Sequence, residues 1–144
     1  MIVVDANIVI YLTCGTPRTD LARQIQAAQG QPLTLDDWAT RYPTCVDDLA
    51  IVLRQMIERR LAHPDFRGTF HWSGAEPFTK FGMGRVIAKI LAADPDTLNP
   101  DPRPPSGAPR PKDCHLDCSD LERLDIGQRT PFVPAITKIL QKWL

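Results

Sequence analysis

The sequence predicts a mixed α/β chain, an α+β lobe in which helices outnumber strands. Three observations carry this. Apolar residues recur at helical spacing in several segments, β-branched and aromatic residues gather in short runs between turn formers, and no internal repeat is visible.

The elements follow in order. Residues 1–12, MIVVDANIVIYL, are two β-branched runs around Asp5-Ala6-Asn7, which is strand chemistry with a polar break. Thr19 and Asp20 offer caps to a helix over 19–28, with Leu21, Ala22, Ile25 and Ala28 on one side and Gly30-Gln31-Pro32 as its stop. Leu33-Thr34-Leu35 is a short strand. From Val46 to Leu61 a helix is predicted with Leu49, Val52, Leu53, Met56 and Ile57 on its apolar face. Asp47 and Asp48 in its first turn and Arg59 and Arg60 in its last suit the helix dipole, and His63-Pro64 ends it. Residues 69–72, between Gly68 and Gly74, are expected to form a strand. The helix at 46–62 is expected to pack on this strand and on 33–35.

Thr79 can cap a further helix with Met83, Val86, Ile87, Ile90 and Leu91 buried. Gly82 and Gly84 weaken it by about 1 kcal/mol each relative to Ala, through backbone entropy. Seven of the fourteen prolines fall in residues 95–111, which predicts an extended connector without helix or central strand. Ser119-Asp120-Leu121-Glu122 reads as a capping box opening a short helix. Thr130-Pro131 starts a last helix with Ile136, Ile139, Leu140, Trp143 and Leu144 on a shared face.

Composition narrows the function. The chain has 144 residues, with 17 basic and 17 acidic side chains, and that zero formal charge argues against a general nucleic-acid binder. No apolar run approaches the roughly 18–20 residues that span a bilayer. Asp5 interrupts the apolar start and no basic segment precedes it, so a secretory signal is not expected. Four cysteines do not make a disulfide scaffold at this length, and the reading is a cytoplasmic protein with reduced thiols. Cys114, His115 and Cys118 are one ligand short of a zinc site, and adjacent residues seldom reach one metal. No metal site is expected.

Catalytic signatures are missing. There is no Walker lysine pattern, no Gly-x-Ser-x-Gly, and neither Tyr11 nor Tyr42 has a Lys four residues on. Asp36-Asp37 and Asp47-Asp48 read as helix-start charges, since adjacent helical residues point about 100° apart.

Arg41-Tyr42-Pro43-Thr44-Cys45-Val46-Asp47-Asp48-Leu49-Ala50 resembles the segment that follows the catalytic half of extended short-chain dehydrogenase/reductases. Gly68-Thr69-Phe70-His71-Trp72-Ser73-Gly74, Thr79-Lys80-Phe81, Arg110-Pro111, Leu116-Asp117-Cys118-Ser119-Asp120-Leu121-Glu122 and Ile126-Gly127-Gln128-Arg129-Thr130-Pro131-Phe132 continue that order. Residues 31–144 are thereby similar to the substrate-binding part of the dTDP-4-dehydrorhamnose reductase family. The branch they most resemble is the regulatory beta subunit of methionine adenosyltransferase, the enzyme of S-adenosylmethionine biosynthesis.

The resemblance implies a non-catalytic binding or regulatory module from which the nucleotide-binding half is absent, as in a fragment of a larger protein. No cofactor is expected in this chain; NADP is implied only for a full-length relative. The implied partner is the methionine adenosyltransferase catalytic subunit or a separate nucleotide-binding half. An alternative reading is the substrate-binding half of an NADP-dependent dTDP-4-dehydrorhamnose reductase. Arg41, Thr44, Cys45, Arg110 and Lys112 are the expected substrate-binding residues, although Cys45 stands where the family pattern has His. An uncovered apolar face is expected as well. Residues 1–30 stand apart, and 1–12 resemble the opening strand of PIN-domain ribonucleases. That second alternative implies a magnesium ion on Asp5.

Overall fold

The computed structural model describes residues 20–28 and 30–141. The β-branched segment 1–12, with Asp5, lies outside them, as do Trp143 and Leu144. The described elements are α1 (Asp20–Ala28), β1 (Leu33–Asp36), α2 (Val46–Ala62), α3 (Lys80–Ile90), a 3-10 turn (Pro95–Thr97), β2 (Leu98–Asp101), α4 (Ser119–Glu122) and α5 (Phe132–Gln141).

β1 and β2 form a two-stranded parallel sheet with Leu33 opposite Leu98 and Asp36 opposite Asp101. α3 lies on this sheet, and α1 and α5 pack on α3. Leu21, Ile25, Leu35, Met83, Ile87, Leu98, Ile136 and Leu140 are the buried centre of that layer. Gly84 makes the close approach possible, because a Cβ there would sit 2.6 Å from Leu35 Cδ1. The Thr79 cap forms as expected, its Oγ1 accepting from the Gly82 N–H at 3.0 Å. A second cluster, Val52, Met56, Trp72, Cys118, Leu121 and Ile126, holds the inner face of α2 against the 66–74 and 116–126 segments.

Five expectations change. Residues 69–72 are not a strand, since no segment among the described residues pairs with them. α3 rather than α2 covers β1, so α2 belongs to the second cluster. Inside the proline-rich stretch, the 3-10 turn and β2 form because Leu98 is drawn into the first core. Both strands of a two-stranded sheet are edges, where Pro100 is tolerated. The capping box at Ser119 is replaced by an Asx turn: Cys118 is the N-cap, and Asp117 Oδ1 accepts from the Ser119 N–H at 3.0 Å.

The aspartate doublets are more than helix-start charges. Asp36 ends β1, where it accepts from the Trp38 and Ala39 N–H groups, and Asp37 accepts the Thr79 hydroxyl at 2.6 Å. Asp48 is buried and accepts the Thr130 N–H at 2.5 Å and hydroxyl at 2.8 Å, tying α2 to the start of α5.

Candidate functional site

Two parallel strands that end side by side leave their carboxyl ends open, the usual place for a ligand in open α/β sheets. Here both end on aspartates, and both aspartates are engaged by arginine. The Arg41 guanidinium lies 2.8 Å from Asp36 Oδ2. Arg103 meets Asp101 through two bonds of 2.8 and 2.9 Å. That hydrogen-bonded guanidinium holds the Asp101 carboxyl down at about 2, and the pairing raises Arg103 in turn.

At the strand ends, Arg103–Ser106 and Arg110–Pro111 line a cleft of about 760 Å³, with Trp38, Ala39, Arg41, Asp36, Asp101 and Cys114 also on its walls. Arg110 is exposed there and makes no ion pair among the described residues. The cleft therefore combines one available guanidinium with an indole and proline faces. That chemistry accepts an anionic group attached to a flat or apolar body.

Of the expected binding residues, the fold brings Arg41 and Arg110 together on this cleft and leaves the other three off its lining. Thr44 is buried as a fastener, accepting the Gly74 N–H at 2.9 Å and donating to the Tyr42 carbonyl at 3.2 Å. Cys45 is the N-cap of α2 and makes no side-chain cap bond. Lys112 meets Thr40 only through its carbonyl. Sequence reasoning missed Trp38, Asp101 and Arg103. Asp101-Pro102-Arg103 carries a local signal, because an aspartate two residues before an arginine can accept its backbone and side chain together.

A smaller hollow of about 370 Å³ lies between Trp72 and residues 125–129. Its arginine is committed: Arg129 stacks 4.0 Å over Trp72, donates to the Ser73 carbonyl at 3.0 Å and pairs with Glu122 at 2.7 Å. This is a structural joint.

The segment from β1 to α2, residues 37–45, contains no glycine. Among the described residues no group of three or more His, Cys, Asp or Glu is placed to hold a metal ion. No described helix is long and apolar enough to cross a membrane.

Residues 19–144 match the family model for the RmlD substrate binding domain. The chain belongs to this family. Among curated proteins, this RmlD-type domain is 47% identical over 111 residues to methionine adenosyltransferase 2 subunit beta of Mus musculus, covering 76% of the chain and 33% of the relative. The proteins of the same name from Xenopus tropicalis and Danio rerio are 44% identical over 111 residues and 40% over 106. Those matches cover 76% and 72% of this chain, and 33% of each relative. The chain thus spans about a third of the length of the curated relatives it matches. Among solved structures, it is similar to a UDP-N-acetylglucosamine 4-epimerase from Bacillus cereus, with a TM-score of 0.61, 19% identity, and coverage of 88% of this chain and 40% of that one. At that identity the likeness is one of fold.

Proposed function

We propose that this RmlD-type domain is a non-catalytic binding and regulatory module that acts on a methionine adenosyltransferase catalytic subunit, and so on S-adenosylmethionine supply. The observation that carries the reading is the 47% identity to methionine adenosyltransferase 2 subunit beta over three quarters of the chain. The cleft supports a ligand-binding role within it. Arg110 supplies the available cation, while Arg41 and Arg103 are held in place by their aspartates. Hydride transfer needs a positioned nicotinamide and a proton donor. The sequence offers neither a glycine motif nor a Tyr-x-x-x-Lys pair for it.

Sedimentation of the purified chain with a purified methionine adenosyltransferase catalytic subunit tests the reading. Co-migration with an altered rate of S-adenosylmethionine formation is expected. Separate migration with an unchanged rate would overturn it. The arginine-lined cleft also favours a second reading, the substrate-binding half of a reductase. Under it, the chain binds dTDP-4-dehydrorhamnose with an affinity that falls at least about tenfold in Arg110→Ala, the loss of one charge-assisted contact. No NADPH oxidation is expected in either case.

A further inference from the structure

Residues 102–115 are an unbroken run of exposed residues, with prolines at 102, 104, 105, 109 and 111. Proline fixes its own φ near about −65° and pushes the residue before it into the extended region. Asp101–Pro105 and Ala108–Pro111 are therefore two arms held near polyproline II geometry. A bend at Ser106 and Gly107 joins them, with Gly107 at a φ of 110°. Both arms are anchored at their far ends. Asp101 closes β2, and just past Pro111 the Lys112 carbonyl accepts the Thr40 N–H at 2.7 Å. Between these anchors, among the described residues, no main-chain carbonyl from Pro102 to Arg110 accepts a hydrogen bond.

The strap has two sides. Pro104, Pro105, Arg110 and Pro111 line the cleft, whereas Ala108, Pro109 and Lys112 do not. At three residues per turn, Pro109 and Lys112 share one edge of the second arm. Lys112 makes no ion pair among the described residues, and no acidic residue lies between Pro102 and Lys112 to neutralise Arg103, Arg110 and Lys112 locally. The outer edge thus offers an aliphatic residue beside a proline, open carbonyls, and a cation one turn further on.

We propose that this edge docks into a polyproline-reading protein domain, whose aromatic groove takes the Ala108–Pro109 pair and whose flanking carboxylate takes the Lys112 ammonium group. Such grooves gain from ligands that are already extended, and a strap anchored at both ends loses little further freedom on binding. A second copy of this chain is a poor occupant, because no aromatic side chain among the described residues is exposed to form the groove. The proposal concerns a surface off the cleft lining. It adds a partner class to the regulatory reading and stands whether or not that reading does.

Titration of the full chain against a panel of purified SH3, WW and EVH1 domains tests it. At least one domain binds with a Kd of about 100 μM or tighter, and replacing the tryptophan of that domain's groove by alanine abolishes the binding. Against the same domain, Pro109→Ala and Lys112→Glu each weaken binding by about tenfold or more, while Pro102→Ala, on the first arm, changes it by less than about twofold. Lys112 holds Thr40 through its main chain, so Lys112→Glu keeps the thermal transition of the parent chain. No binding across the panel, binding that survives either Pro109→Ala or Lys112→Glu, or an equal loss in Pro102→Ala would each overturn the proposal.

Discussion

Replacing Asp48 by alanine tests how the two halves of this lobe are fastened. Asp48 is 4% exposed, and its two oxygens take the N–H and hydroxyl of Thr130, at 2.5 and 2.8 Å, just before α5 begins. α2 belongs to one core cluster and α5 to the other, so this carboxylate bridges them. Each hydrogen bond to a charged acceptor contributes about 1.5–3 kcal/mol, and removing the acceptor leaves part-buried donors unpaired. Because both bonds come from one residue their losses do not add. We expect Asp48→Ala to cost about 3 kcal/mol, or about 10 °C in Tm at this size. Asp48→Asn keeps one carbonyl acceptor but turns an amide donor toward a donor, and should lose about as much. Thr130→Val on the alanine background should then cost little, closing a double-mutant cycle with a coupling of at least about 1 kcal/mol. Thermal unfolding followed by circular dichroism reads these variants together with Thr130→Val alone, which completes the cycle. An Asp48→Ala shift below about 2 °C, or strictly additive variants, would refute the reasoning.

Two further outcomes follow from local geometry. In Gly127→Ala the new Cβ falls 2.4 Å from Trp72 Cη2, and the ring is held by Arg129 over its face and by its Nε1 donating to the Gln128 carbonyl at 3.3 Å. Overpacking there should cost about 1–3 kcal/mol and shift the tryptophan emission; an unchanged Tm would mean the ring can retreat. Asp101, depressed from an ordinary 3.8 to about 2 chiefly by the Arg103 hydrogen bonds, favours the folded state above pH about 3.8, and that contribution disappears as pH falls through about 2. A carboxyl NMR titration should place its midpoint near 2 and return it toward 3.8 in Arg103→Ala; a midpoint near 3.8 in the parent chain would show that the pair does not form.

What the sequence alone determined is local. α2 at 46–62, the Thr79 cap and the start of α5 after Thr130-Pro131 were legible because period, dipole and capping are properties of neighbours along the chain. Motif order likewise pointed to the RmlD family before any contact was known. Pairing was not legible, because a strand exists only where a partner lies beside it. Thr69–Trp72 has the composition but finds no partner among the described residues, whereas Leu98–Asp101, among prolines, finds β1 and becomes a strand. The site divides in the same way. Arg41 and Arg110 could be named from their motifs, but the crossover that sets Asp36 beside Asp101 put Trp38 and Arg103 with them. It left Thr44 as a buried fastener and Cys45 as a helix cap, because side-chain direction is set by packing among segments far apart in the chain.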